Sequence, residues 1–356
     1  RLIHSSALVD LDLDDLISGK SSEIRRKAFK GEWLFTSAIF SVAFPSQAKA
    51  YFLTGHGEAS PDNSVRDPDY GKFAELLTRE ANVPWQKLSL QNTNDIPADC
   101  KLLIVANPAK ATLDTNEISR IDAYLRRGGS LFVMLNNLIL GPNSGIEKVL
   151  AGWGVAVSHY QVVDPRNSTA GNECTVISFN PPSHPLVKSI VAGGLPLQML
   201  MPRWVGKTPN ANPPANAPKV EELAFSSTNA VLGRYRSDGT LETNPRMGQF
   251  PLIVAVEQGG IKDVSTGTRI VVTGDQYFLN NKLIDLAANR YFAGFAINWL
   301  LDRPQVLFDG IGPRPVKTYK LLVTPVQAAR LQWLLVAGLP GAVLLFGSLV
   351  WLRRRS

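Results

Sequence analysis

The chain has 356 residues, 45% hydrophobic and 19% charged, which suits one large or two ordinary folded domains and excludes a disordered chain. Its net charge of +7 is spread out and not interleaved with aromatics, apart from the closing Arg353-Arg354-Arg355, which argues against a nucleic-acid surface. Two cysteines, Cys100 and Cys174, are too few for a zinc site; two unpaired buried thiols is the preferred reading, and pairing in an oxidising compartment stays open.

The first residue is Arg1, so a missing upstream segment is expected, and residues 1–45 read as a helical tail of it. Leu2–Leu16 mixes apolar and acidic residues, Lys20-Ser21-Ser22 is a turn, and the apolar spacing over Gly31–Phe40 predicts a helix closed by Pro45. Next comes the stretch that organises the chain, Ala50-Tyr51-Phe52-Leu53-Thr54-Gly55-His56-Gly57-Glu58. An apolar run ending at glycine reads as a buried parallel strand. Gly55 and Gly57 permit positive φ, so His56 and Glu58 are presented just past the strand's carboxyl end, where open α/β sheets place ligands.

Tyr70–Glu80 predicts a helix and Trp85–Leu90 a short strand. Lys101–Ala106 is a buried strand ending in Asn107-Pro108. Asp114 or Thr115 caps a helix with Glu117 in its first turn, and Gly128-Gly129 end it. Ser130–Leu135 is the next buried strand, ending in Asn136-Asn137; Ile146–Trp153 is a short helix and Val155–Val163 a strand. Strands and helices alternating on short connections define an α/β fold with a doubly wound, mostly parallel sheet over 46–163, with the strand carboxyl ends on one rim.

From Asp164 the rhythm changes. Residues 164–268 read as an antiparallel, β-rich insertion carrying a flexible Pro/Asn loop at Thr208–Pro218. Arg269–Thr273 returns as a buried strand ending in Gly274-Asp275, and Asn289–Leu301 is a helix, so 269–302 rejoins the α/β body. Residues 303–330 form a connector. From Leu331 to Leu352 no residue is charged; about 22 residues at about 1.5 Å each span about 33 Å, enough for a bilayer. Trp333 and Trp351 stand near its ends, Pro340 predicts a kink, and residues 353–356 are a basic tail placed in the cytoplasm by the positive-inside rule, which sets everything before residue 330 outside.

A nucleophile at the rim would sit on a strand-to-helix turn, and Asn107-Pro108 offers neither serine nor cysteine. No Gly-x-Ser-x-Gly and no phosphate loop occurs. No catalytic residue, metal or cofactor is therefore expected. Gly55, His56, Gly57, Glu58, Asn107, Asn136 and Asp275 are the candidate contacts for a polar ligand or partner loop, while His159 and His184 read as structural.

Taken together, Gly31-Glu32 with Thr36-Ser37-Ala38-Ile39, Tyr51 through Glu58, Leu102 through Pro108, Arg127 through Leu131, Thr273-Gly274-Asp275 and the final apolar helix with its arginine tail resemble the extracytoplasmic auxiliary component of uncharacterised ABC-type transport systems, the group that includes the gliding-motility-associated protein. The resemblance implies a glutamine-amidotransferase-like fold without its nucleophile, partner permease and ATPase subunits, and a non-catalytic accessory or binding role at the cell's inner membrane. The alternative is a hydrolase or amidotransferase relative acting on an extracytoplasmic sugar or polymer. A third reading is a scaffold whose rim is closed by the 164–268 insertion.

Overall fold

The computed structural model describes residues 5–12, 25–29, 48–63, 69–91, 95–106, 111–135, 144–168, 173–209, 217–235, 240–244, 247–259, 267–303 and 332–355, with Gly31, Phe35, Ala38, Ile39, Arg314, Pro315 and Arg330. Its centre is an eight-stranded sheet. In chain order the strands are β1 (Lys49–Thr54), β2 (Trp85–Ser89), β3 (Cys100–Ala106), β4 (Ser130–Met134), β5 (Ser178–Phe179), β6 (Lys219–Phe225), β7 (Pro251–Gln258) and β8 (Thr268–Thr273). Their spatial order is β2-β1-β3-β4-β8-β7-β6-β5. The run from β2 to β8 is parallel, and β7, β6 and β5 continue it antiparallel.

The near-continuous apolar sequences of β1, β3, β4 and β8 exist because both sheet faces are covered. Phe52, Ile104, Phe132 and Val271 face one layer, made by α1 (Gly71–Glu75, continued by a π-helical turn to Glu80) and α4 (Asn289–Leu300). Phe73 fills that layer edge-on between Phe52 and Phe132, with ring centroids 6.1 and 5.8 Å away. Tyr51, Leu103, Val133 and Val272 point the other way, onto α2 (Thr115–Arg126) and α3 (Ile146–Gly152). Alternate residues thus serve two separate cores, the three-layer arrangement expected from the alternation of elements.

The span expected as an insertion is not separate from this sheet, since β5, β6 and β7 all lie within it and extend the sheet. The rest of the span contributes three strands to a four-stranded antiparallel sheet, ordered Arg203–Lys207, Val155–Val163, Val231–Tyr235 and Leu241–Thr243, and pairs Leu197–Leu200 with Glu173–Val176; Val155–Val163, expected in the parallel sheet, belongs to this smaller sheet instead. Leu197–Leu200 and Arg203–Lys207 are two separate strands, the chain turning between them at Met201, whose φ of 51° carries it from one sheet to another.

The helical reading of residues 1–45 needs correcting in part. Val9–Asp12 and Arg25–Phe29 are antiparallel strands, and Arg314–Pro315 adds a third strand beside Arg25–Phe29. The strict alternation of Val9-Asp10-Leu11-Asp12 is a period of two, which favours strand over helix here. Residues 31, 35, 38 and 39 are helical.

Near the C-terminus, Leu334–Arg355 forms a 22-residue apolar helix, none of it buried and long enough to cross a bilayer. Pro340 does not break it. The turn Leu334–Gly338 is π-helical and leads directly into α5 (Leu339–Arg355). Pro340 lacks the N–H for the carbonyl four residues back, and the wider turn makes room for its ring.

One buried side chain stands out. Asn298 on α4 is fully buried, and neither its Oδ1 nor its Nδ2 finds a hydrogen-bond partner. Replacing an unsatisfied buried amide by an apolar group of similar shape removes a desolvation penalty. Asn298→Leu is expected to raise stability by about 1–2 kcal/mol, read as a higher midpoint in urea unfolding. A lower midpoint would mean that the amide is satisfied in solution.

Candidate functional site

Strand β1 delivers its turn to the carboxyl rim. Gly55 and Gly57 take φ of 121° and 84°, the left-handed values that admit glycine, as the sequence reading required. This folds the chain so that the His56 N–H donates to Glu58 Oε2 at 2.7 Å. Gln91 Nε2 closes the loop from the side by donating to the Gly55 carbonyl at 2.8 Å.

His56 is only 3% exposed. Its Nδ1 lies 3.3 Å from Glu58 Oε1, and its Nε2 lies 3.0 Å from Glu117 Oε2. Glu117 is the member that sequence reasoning missed; it was placed only in the first turn of a helix. It completes a capping box on α2, accepting from the Asp114 N–H at 2.8 Å while Asp114 Oδ1 accepts the Glu117 N–H at 2.8 Å. Because β3 and β1 are neighbours, the helix that follows β3 starts beside the β1 turn, and the same carboxylate reaches His56. The signal available was the Asp-x-x-Glu spacing, which fixes where the Glu117 side chain lies but not what it meets. Its second oxygen, Oε1, is buried without a hydrogen-bond partner.

Chemically this is a locked histidine. Both ring nitrogens face carboxylates, so neither is offered to a substrate, and the cluster serves to hold the Gly55–Glu58 loop rigid. The cysteines add no nucleophile. Burial pushes the Cys100 thiol up to about 11 and the Cys174 thiol up to about 12, and both are free. Among the described residues no group of three His, Cys, Asp or Glu side chains is arranged to hold a metal ion.

Among the described residues, the remaining candidate Asp275 does not join this cluster. Asn107 and Asn136 lie outside the described residues. Asp275 follows β8, which is separated from β1 by β3 and β4; three strand spacings put it about 14 Å away across the rim. Its role is internal. The fully buried carboxylate accepts the Leu200 N–H at 2.6 Å and the Tyr277 N–H at 2.7 Å, tying Leu197–Leu200 to the end of β8. The segment after it crosses the rim towards α1. The Tyr70 hydroxyl donates to the Gln276 carbonyl, and Asn281 Oδ1 accepts the Lys72 N–H at 3.0 Å, capping a helix whose own N-cap side chain makes no such bond.

Burial raises the Asp275 carboxyl to about 7, against backbone N–H donors that pull it down. The folded carboxyl holds its proton to about 7 while an ordinary one releases it at 3.8, so between these values the folded state binds more protons. Stability from this group therefore falls as pH rises from about 4 to about 7. The urea midpoint of the wild type, measured against that of Asp275→Asn, should decline across that window and stay flat above it; a difference independent of pH would refute the assignment.

A cavity of about 450 Å³ lies elsewhere, at the amino ends of the parallel strands. Lys219, Glu257 and Arg269 are in register across β6, β7 and β8 there, with Arg269 near the start of β8. His184 and Trp299 also line it.

These features define a class: a three-layer α/β domain with a mostly parallel sheet, a nucleophile-free Gly-His-Gly-Glu turn and one exposed apolar helix. The chain belongs to the family described as ABC-type uncharacterized transport system, the ABC transport auxiliary family, which it matches over residues 47–299. No curated protein matches it. Among solved structures it is similar to the mmIFT52 N-terminal domain, at 15% identity and a TM-score of 0.50 over 71% of this chain and 97% of that one. A ThuA-like protein from Bacteroides uniformis matches at 14% identity and 0.44, over 71% of this chain and 91% of that one. A β-galactosidase from Bacillus circulans sp. alkalophilus matches at 11% and 0.39, over 72% and 31%. The first likeness is one of fold alone, and the other two carry no argument.

Proposed function

We propose that this protein is a membrane-anchored, non-catalytic accessory or binding subunit of an ABC-type transport system, of the kind found in gliding-motility-type systems. The family match over residues 47–299 carries the reading. The apolar helix Leu334–Arg355 is the anchor, and its terminal arginines favour a cytoplasmic end, which sets the α/β body on the extracytoplasmic face of the inner membrane. The body is an amidotransferase-like sheet without the nucleophile. Permease and ATPase subunits are its partners. The Gly55–Glu58 loop, held by His56 and Glu117, is the rigid element presented to a partner loop or polar ligand; Asp275 supports the fold beside it.

The full chain extracted in detergent should copurify with a permease and an ATPase, and an impermeant amine-reactive label should reach its lysines in intact cells. Recovery of the chain alone from extracts, or lysines that stay unlabelled until the cells are lysed, would overturn the assignment.

A further inference from the structure

The cavity at the amino ends of the parallel strands is built as a ligand site, and nothing in the transport reading uses it. It is about 450 Å³, within the ordinary range for small-molecule sites. Its wall holds three cations, Lys219, Arg269 and Arg303, and three carboxylates, Glu221, Glu257 and Asp302, so the formal charges balance. An ionic ligand of either sign would meet as much repulsion as attraction there.

His184 gives the cavity its direction. It is 7% exposed, and its Nδ1 accepts the Leu186 N–H at 3.2 Å. That fixes the neutral tautomer with the hydrogen on Nε2. Burial holds the ring below its ordinary range and so favours the neutral form. Nε2 lies 3.7 Å from Glu221 Oε2, too far for a hydrogen bond. A donor and an acceptor therefore border the cavity side by side with a gap between them. A hydroxyl satisfies both, accepting from His184 and donating to Glu221; a deprotonated carboxylate or phosphate oxygen cannot donate and brings a negative charge up to Glu221, and an ammonium cannot accept. Trp299 closes the wall behind them, its ring centroid 5.4 Å from that of His184 and 5.2 Å from the Arg269 guanidinium carbon.

We infer that this cavity binds a neutral polyhydroxyl ligand, a sugar or sugar-like polyol, through paired contacts to His184 and Glu221. The inference does not rest on the transport assignment. Calorimetric titration of the full chain in detergent with glucose, galactose, maltose and cellobiose should give saturable binding of at least one, whereas glycine and inorganic phosphate stay silent. Glu221→Gln and His184→Ala should each weaken that binding by about tenfold or more, the loss of one or two hydrogen bonds, while Lys148→Ala, an exposed position on α3 outside the cavity wall, leaves it unchanged. Far-ultraviolet circular dichroism of each variant checks that the fold is kept, and Glu221→Gln alone, nearly isosteric, suffices if His184→Ala fails to fold. Absence of binding by all four sugars, binding by glycine or phosphate instead, or full affinity in Glu221→Gln would overturn the inference.

Discussion

Gly274→Ala should destabilise the protein by about 3–5 kcal/mol, at the upper end for a single added methyl, because the clash is with backbone. A Cβ at this position would lie 2.1 Å from the Arg203 carbonyl oxygen and 3.1 Å from its carbonyl carbon. Neither chain can retreat cheaply. The Arg203 N–H donates to the Gly274 carbonyl at 2.7 Å, and the Gly274 N–H donates to Leu252 at 2.9 Å. Arg203 is itself fully buried, its Nη1 on Glu147 at 3.0 Å and its Nε on the Ser158 carbonyl at 3.0 Å, so a shift there would disturb a desolvated ion pair. Gly274 does not take a positive φ; its requirement is space at a point where β8 meets the smaller sheet. The measurement is urea unfolding of the purified protein, with Gly152→Ala as the control. Gly152 ends α3 and a Cβ there meets nothing within 4 Å, so that change should be neutral or stabilising by up to about 1 kcal/mol. If Gly274→Ala unfolds within about 1 kcal/mol of the wild type, the close crossing described here is wrong.

This crossing marks where sequence reasoning stops. The strands β1, β3, β4 and β8 were legible because each has an apolar centre and ends in glycine or a polar turn. The helix α2 was legible from its cap, and the conformation of Gly55 and Gly57 followed from the turn they had to make. All of these depend on neighbours in sequence. What could not be read depends on partners far along the chain. Strands of the 164–268 span look like a separate antiparallel unit from their composition, yet β6 and β7 pair into the main sheet because β7 and β8 form an antiparallel pair whose register runs from Ile253 opposite Thr273 to Gln258 opposite Thr268. Asp275 was grouped with His56 on the correct premise that parallel strands share a rim. Strand order, which the sequence does not print, separates them. His184 was read as structural, and it does bond its own turn; only the fold sets its second nitrogen beside Glu221.

The same gap explains Glu117, and it makes the final prediction specific. Within the sequence this residue is half of a capping box, and losing a cap costs about 1 kcal/mol. In the fold it is also the acceptor for His56, a ring almost wholly removed from water. Glu117→Ala therefore leaves both the Asp114 N–H and His56 Nε2 without their acceptor. An unmet buried polar group costs about 1–3 kcal/mol. Part of this is offset, because the orphaned Oε1 is removed as well. The net loss should be about 2–3 kcal/mol. Asp114→Ala removes only the other half of the cap and should cost about 1 kcal/mol. If Glu117 acted as a cap alone, the two variants would be equal. A double-mutant cycle isolates the second role: Glu117→Ala combined with His56→Ala should be less destabilised than the sum of the single changes, with a coupling of about 1 kcal/mol or more. A coupling near zero would mean that the histidine is not held from α2. The Gly55–Glu58 loop would then lack the support on which its proposed role as a partner surface depends.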